Sequence, residues 1–184
     1  MKLYTTLLFS LVAVLSNAQV GIATQTFSTP SVSMEFPYEP GNPDKARGIV
    51  LPWVTSSQTM PNTIAGTLIF DLADKKVKYR KNSSIIPWGD LTFDTTGQAD
   101  TTSYTTIQEN TSAKVVIGSV TALAEETPNA ILILSDINKG MILPKVDNYK
   151  NLPNPTAGLI VYDVTNQLLC TYNGTVWTFL KAED

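Results

Sequence analysis

The second half of this chain repeats the first. Residues 47–54 (RGIVLPWV) return 92 positions later as residues 139–146 (KGMILPKV). The correspondence continues in register, with residues 65–71 (AGTLIFD) matching residues 157–163 (AGLIVYD). A repeat of this kind indicates duplicated structural or binding modules, which bury their apolar faces against neighbours, more than an enzyme with one cleft.

The repeat divides the chain into four parts: a signal peptide (residues 1–18), unit one (20–91), a connector (92–114) and unit two (115–184). Each unit has about 70 residues, and domains of that size bury only about 60% of their unfolded surface. The single cysteine, Cys170, excludes a disulfide within the chain. We therefore expect the two units to pack on each other or on copies in other chains.

Within each unit the pattern is that of short β-strands. Val, Ile, Leu, Thr and aromatic residues come in short runs separated by Pro, Gly, Asn and Asp. The predicted strands are residues 33–36, 48–54, 66–72 and 76–80 in unit one, and 130–134, 140–146, 158–164, 168–172 and 175–180 in unit two. Asn173-Gly174 predicts a type I′ hairpin turn, in which both residues have positive φ. Residues 56–60 and 148–152 allow one helical turn each, so the predicted fold is all-β, with two tandem β-meander modules.

The amino terminus predicts export. Residues 1–18 carry Lys2, an apolar stretch and small residues before the expected cut, as secretory signal peptides do. No later segment reaches the roughly 20 apolar residues of a spanning helix, so we expect no membrane insertion. The expected location is extracellular or at the cell surface, with the periplasm as the alternative. A net charge of −3 without a basic run argues against nucleic acid as a partner.

The connector is rich in hydroxyl side chains, with 10 Ser or Thr among its 23 residues. It is predicted to be either a flexible spacer or an edge strand. Two Asp-Thr-Thr triplets in it resemble the short acceptor sequence for O-glycosylation in the Bacteroidetes. The resemblance implies Thr95 and Thr101 as candidate O-glycosylation sites, with plain solvated linker as the alternative.

Several motifs together resemble a known module: VGI at residues 20–22, KGMILP at 139–144, AGLIVYD at 157–163 and YNGTVW at 172–177. They are similar to a repeat module of secreted and cell-surface proteins of the Bacteroidetes and of tail-fibre-like and adhesin-like proteins. The resemblance implies a β-rich module in a stalk or surface protein. That module commonly has a second Pro and an Arg after Leu-Pro, where this chain has Trp-Val and Lys-Val, so no role of that Arg is carried over.

The residue sets of common catalytic sites are missing from the sequence. There is no histidine, which excludes Ser-His-Asp and Cys-His catalysis and the common zinc sites. Asp71 and Asp163 occupy equivalent strand ends, where a carboxylate typically caps a turn. Asp71 and Asp74 do not have the spacing of a calcium loop, and Asn166 replaces Asp74 in unit two. We predict no enzyme, no metal and no cofactor, although a carboxylate-pair glycosidase stays open as a third hypothesis.

The aromatic residues suggest both core and ligand roles. Trp88 and Trp177 occupy equivalent last strands and are expected to be core anchors. Trp53 has Lys145 at its equivalent position, so the module does not require an aromatic there. With Tyr38 and Tyr79, Trp53 is a candidate stacking surface for sugar rings or a partner; the alternative is that Trp53 covers a gap beneath the inserted loop of residues 37–43.

Two functions follow from these observations. The first is a non-enzymatic secreted or cell-surface β-repeat protein that acts in adhesion or assembly, as a homo-oligomeric fibre or stalk element. Exposed strand edges make pairing between chains the simplest way to complete small units. The second is a carbohydrate-binding module that uses the exposed aromatic residues, with glycans as partners. Cys170 is predicted to be a buried apolar residue, with an intermolecular disulfide as the alternative.

Overall fold

The fold was obtained as a computed structural model, which describes residues 19–23, 28–36, 38–42, 47–102, 108, 110, 113–118, 130–136 and 138–181. The predicted signal peptide and several connector residues lie outside the described residues. The described chain is all-β, as the sequence predicted, with two one-turn 3-10 helices at Ser57–Thr59 and Tyr149–Asn151 where single turns were expected.

The strands are numbered in chain order. Unit one contains β1 (Val20–Gly21), β2 (Val32–Glu35), β3 (Ile49–Val50), β4 (Trp53–Val54), β5 (Leu68–Asp71), β6 (Lys76–Arg80) and β7 (Trp88–Asp90). Unit two contains β8 (Val115–Ile117), β9 (Leu132–Leu134), β10 (Gly140–Met141), β11 (Lys145–Val146), β12 (Leu159–Asp163), β13 (Leu168–Tyr172) and β14 (Trp177–Leu180).

Each unit contains the same four-stranded sheet, a three-stranded antiparallel meander with a parallel strand at its edge. In unit one the order is β4-β5-β6-β7, with β4 parallel to β5 and the other neighbours antiparallel. In unit two β11-β12-β13-β14 repeats this arrangement, and the register is conserved between units because Trp53 pairs with Phe70 as Lys145 pairs with Tyr162. The repeat in sequence is therefore a repeat in structure.

The segment predicted as one strand over residues 48–54 is two short strands, β3 and β4. Pro52 lies between them, and proline has no N–H to contribute to a ladder. Its carbonyl accepts from Phe70 N at 2.9 Å, and the equivalent Pro144 carbonyl accepts from Tyr162 N at 2.9 Å. The proline thus ends one pairing and starts the next, so that β3 and β4 pair with different strands.

Strands also pair between the two units. β3 of unit one pairs antiparallel with β12 of unit two, and β10 of unit two pairs parallel with β2 of unit one. The largest part of the core combines both units; its buried members are Leu51, Phe70, Val77, Ala157 and Ile160. A second cluster, inside unit two, surrounds Val161 and Cys170. The expectation that the units pack on each other is confirmed.

The turn at Asn173-Gly174 differs from the predicted type I′ hairpin. Gly174 has φ of +95°, but Asn173 is not among the residues with positive φ. Instead, Asn173 Oδ1 accepts hydrogen bonds from Thr175 N and Val176 N at 2.9 and 2.7 Å, which makes a four-residue loop between Tyr172 and Trp177. The prediction was wrong because the asparagine side chain, not its backbone φ, shapes this turn.

The first part of the connector, residues 92–102, is neither a free spacer nor a strand. Thr92 is buried and its hydroxyl accepts from Val77 N at 2.8 Å. Gln98 N donates to Asn173 O at 3.0 Å, and Asn173 Nδ2 lies 3.3 Å from Asp94 Oδ1. The Asn173 loop thus holds this segment against unit two through backbone and amide groups, which a Ser/Thr-rich composition does not reveal.

Candidate functional site

The contact surface between the units, here called the joint, is formed by β2 and β3 of unit one and by β10 and β12 of unit two. Its first seam is β3 on β12, where Ile49 pairs with Ile160 and Val50 with Leu159. Leu51 N donates to Gly158 O at 3.0 Å, and Trp53 Nε1 donates to Ala157 O at 2.8 Å. These bonds continue the sheet of unit two into unit one.

Two glycines allow the close approach of the strands in this seam. A Cβ placed on Gly48 would collide with the side chains of Leu159 and Val161. Gly158 has φ of +82°, and a Cβ there would lie 3.1 Å from Phe70 Cβ. Glycine is needed at both positions because the strands pack without room for a side chain.

The second seam is β10 on β2, in parallel. Gly140 N donates to Ser31 O at 2.9 Å, and Ile142 N donates to Met34 O at 3.0 Å. The inserted loop of unit one adds side-chain bonds to this seam. Tyr38 Oη donates to Asp147 Oδ1 at 2.5 Å, and Gly41 N donates to Asp147 Oδ2 at 2.6 Å. The hydrogen bond to Asp147 raises the pKa of Tyr38, with smaller contributions from burial and the Asp147 charge.

The three aromatic residues of the predicted ligand surface have different surroundings. Trp53 is half-buried in the joint, where its ring lies against Phe70 with centroids 6.4 Å apart. The hydroxyl of Tyr38 is bound to Asp147 of unit two. Tyr79 lies on β6, where its ring covers Gly89 and stays 37% exposed. Trp53 and Tyr38 therefore contribute to the joint, while Tyr79 remains the exposed member of the predicted set.

The equivalent aspartates hold turns. Asp71 accepts from Ala73 N at 2.9 Å and from Ser57 N at 2.8 Å, and Asp163 accepts from Asn166 N at 2.8 Å and from Tyr149 N at 3.1 Å. Each carboxylate thus ties the 3-10 helix of its unit to the turn that follows the strand. The turn function predicted for these two residues is confirmed.

Both carboxylates are held in the ionised form. Burial opposes ionisation of Asp71, but the hydrogen bonds from Ser57 and Asp74 and the charge of Lys78 outweigh it and lower the pKa. Burial likewise raises the pKa of Asp163, while hydrogen bonds from Asn166 and Tyr149 lower it further than burial raises it. These are carboxylates that accept hydrogen bonds, and each is 0% exposed to solvent.

The two units differ in the side chains that contact these aspartates. In unit one Lys78 is buried; its Nζ lies 3.3 Å from Asp71 Oδ2 and also pairs with Asp74. Burial works against the charge of Lys78, but the bond to Asp74 and the charge of Asp71 raise its pKa. In unit two the equivalent of Lys78 is Cys170 and that of Asp74 is Asn166, whose Nδ2 donates to Asp163 Oδ2 at 3.0 Å. Unit two therefore supplies a hydrogen-bond donor to the equivalent carboxylate without a cation.

Cys170 is buried inside unit two. Its side chain is 0% exposed, and burial, with the nearby Asp163 charge, raises the pKa of the thiol to about 11. A thiol that is inaccessible and protonated does not form bonds to other chains. The prediction of a buried apolar role is confirmed, and the alternative of an intermolecular disulfide is wrong for this fold.

The two candidate glycosylation residues have the same local geometry. Asp94 Oδ1 accepts from Thr96 N at 2.7 Å, and Asp100 Oδ1 accepts from Thr102 N at 3.0 Å. Each bond closes a small turn in which the middle residue, Thr95 or Thr101, is exposed. Both hydroxyls therefore face solvent, and their modification stays a prediction.

Within the described ranges, no three Asp, Glu or Cys side chains are grouped as a metal site would require. The same ranges contain no helix of the length and apolarity that crossing a bilayer requires. The strand pairing that forms the joint was not predicted from the sequence. The signal that would have pointed to it is the repeated placement of glycine at the first residue of predicted strands, at Gly48 and Gly140 and at Gly66 and Gly158.

Comparison with known families gives a match in the second repeat. Residues 117–183 match the family model described as a phage tail like trimerisation region. The matched range is nearly all of unit two, and unit one has the same meander in the same register. No curated protein and no solved structure matches the chain. Unit two is thus similar to a module that is described as joining three chains.

Proposed function

We propose that this protein is a structural, non-enzymatic assembly protein whose units associate by exchanging strands, so that the chain forms a homo-oligomer of three copies. The observation that carries the proposal is the joint, in which each unit supplies a strand to a sheet of the other. Units built this way are incomplete alone, and neighbours complete them.

The similarity of residues 117–183 to a phage tail like trimerisation region supports an oligomer of identical chains. A role as a fibre or stalk element agrees with the resemblance of the sequence motifs to tail-fibre-like and adhesin-like proteins. Homo-oligomers with closed symmetry are also the common outcome when one chain carries both halves of an interface.

The predicted signal peptide supports a location outside the cytoplasm, either at the cell surface or secreted. An adhesive role would place ligand contacts on the outside of the assembly, where Tyr79 is exposed. We propose adhesion as the task of the assembled fibre. Binding of glycans through Tyr79 is the narrower alternative, and it is tested by comparing glycan binding of the wild type with that of Tyr79→Ala.

The assembly is tested by native mass spectrometry of residues 19–184 over a range of protein concentrations. The expected result is a dominant species of three chains that persists on dilution to micromolar concentration. A single-chain species at every concentration would overturn the proposal, because it would mean that the two units complete each other and need no further copy.

A further inference from the structure

Each unit contributes one strand with the sequence pattern Arg/Lys-Gly-x-x-Leu-Pro to the joint, and the two strands use opposite edges. β10 pairs through the edge that carries the Gly140 and Ile142 amides, which donate to β2. β3 pairs through the edge that carries the Leu51 amide, which donates to Gly158 of β12. The repeat maps Ile49 and Leu51 of β3 onto Met141 and Leu143 of β10. The edge of β10 that is equivalent to the paired edge of β3 has no strand bound to it in the described part of the chain.

The chain also contains strands that could pair with the free edges of β3 and β10. β9 is the equivalent of β2, because Val115 of β8 pairs with Leu132 as Val20 of β1 pairs with Met34, both in parallel. β2 has a strand on each side, whereas β9 has only β8 among the described residues. β5 is the equivalent of β12, and in the described part of the chain its edge at Leu68 lacks the strand that β12 receives at Ile160.

The free edge of β9 exposes an apolar side chain whose equivalent in the paired strand β2 is buried. Leu132 of β9 is 38% exposed, whereas its equivalent Met34 in β2 is 5% exposed. Val50 of β3, although it is the register partner of Leu159, is 47% exposed. Exposed apolar side chains along an unpaired strand edge are typical of a surface that pairs with another chain.

The glycines at equivalent positions of the two units give a second comparison between paired and unpaired strand edges. Gly48 and Gly158 lie in the joint, and a Cβ on either would meet atoms of the other unit. At their equivalents Gly140 and Gly66, a Cβ would meet no atom within 4 Å. The φ of +91° at Gly66 already favours glycine, so the contrast is between Gly48 and Gly140, of which only Gly48 has a packing reason among the described residues.

We propose that unit two of one copy binds unit one of a second copy by the same joint that links the units within a chain. This inference rests on the proposed function and adds to it the surfaces and register of the contact. β9 of one copy pairs in parallel with β3 of the next, with Leu132 opposite Ile49. β10 pairs antiparallel with β5 of the next copy, with Met141 opposite Leu68.

The occupant is a second copy because the chain carries both halves of the contact in matching register. Unit two offers the free edges of β9 and β10, and unit one offers the free edges of β3 and β5, so the contact is head-to-tail. A head-to-tail contact between identical chains gives a ring when the rotation closes. Gly140 would then lie over Thr67 of the next copy, as Gly48 lies over the equivalent Leu159 within the chain.

The pairing is tested by engineered disulfides in a Cys170→Ala background. Two single variants, Ile49→Cys and Leu132→Cys, are mixed in equal amounts and oxidised, because neighbouring strands place register partners about 5 Å apart, within reach of a disulfide. The matched control is the double variant Met34→Cys/Met141→Cys, which occupies the equivalent register within one chain. We expect a covalent two-chain product from the mixture and an internal disulfide in the control.

A control that closes internally, with no two-chain product from the mixture, overturns the proposed pairing. If native mass spectrometry still finds three chains in that case, only the register proposed here fails and the oligomeric function stands. If the mass is that of one chain, both fail together. A two-chain product from either single variant alone would also contradict the pairing, because it would place like positions of two copies together.

Discussion

At the scale of single residues, the two units stabilise an equivalent buried aspartate with different side chains. Both bury an aspartate that ties a 3-10 helix to a turn, at Asp71 and at Asp163. Unit one adds the buried cation of Lys78, while unit two uses the neutral amide of Asn166. The aspartates were predictable from the sequence because they repeat at a strand end. The burial of Lys78 was not, since its equivalent is Cys170 and charge alone predicts a solvated lysine.

Replacing Lys78 by the residue of unit two tests this comparison. Lys78→Cys leaves Asp71 and Asp74 without their buried cation, and removing one partner of such a pair typically costs about 3–5 kcal/mol. The double variant Lys78→Cys/Asp74→Asn supplies an amide donor as Asn166 does, and we expect it to recover part of the loss. Urea unfolding of the wild type, Lys78→Cys, Asp74→Asn and the double variant measures this. A double variant less stable than Lys78→Cys would contradict the interpretation.

The aspartates also predict how stability depends on pH. The pKa values of Asp71 and Asp163 are lower in the folded chain than in the unfolded chain. Their stabilisation is therefore complete above the unfolded pKa of about 3.9 and is lost as the pH falls through the folded values. We expect the urea midpoint to be flat from pH 6 to 7.5 and to fall below about pH 4. In Asp163→Asn, which cannot ionise, the fall should be smaller; an equally steep fall would argue against this assignment.

At the scale of structural elements, the sequence predicts the bounds of single strands but not the pairing of strands that lie far apart in the chain. Strands such as Lys76–Arg80 and Leu168–Tyr172 were predicted with their observed bounds because alternating side chains and flanking turns define them. The partners of β3 and β10 were not predictable. Both units carry the same strand pattern, so nothing local distinguishes pairing within a unit from pairing between units.

The Asn173 loop gives a prediction at this scale. Asn173→Gly would be nearly neutral in a type I′ turn, where positive φ favours glycine. In the observed loop it removes the acceptor of the Thr175 and Val176 amides and the donor to Asp94, so we expect a loss of about 1–3 kcal/mol. Thermal or urea unfolding gives the difference, and a change below about 0.5 kcal/mol would restore the type I′ interpretation.

At the scale of the whole molecule, the chain is two copies of one module with one joint between them and the surfaces of a second joint left open. Composition and unit size predicted that neighbours complete the units, and the structure shows that the first neighbour is the other unit. The candidate ligand surface stays a prediction, and two of its members, Trp53 and Tyr38, contribute to that joint. Their aromatic character could not indicate which surface they would meet.

The comparison of Gly140→Val with Gly48→Val separates assembly from folding. Gly48→Val should destabilise the chain by about 1–3 kcal/mol or more, because its side chain would overlap Leu159 and Val161. Gly140→Val faces open space within the chain and valine suits a strand, so its unfolding within one chain should be unchanged. In the assembly, however, that valine would meet Thr67 of the next copy.

The decisive measurement is the mass in solution of the wild type and Gly140→Val by light scattering, each over the same concentration series. We predict three copies for the wild type and single folded chains for Gly140→Val, or at least a tenfold higher concentration for its association. A Gly140→Val variant that assembles like the wild type would contradict the conclusion that the open strand edges join the chains.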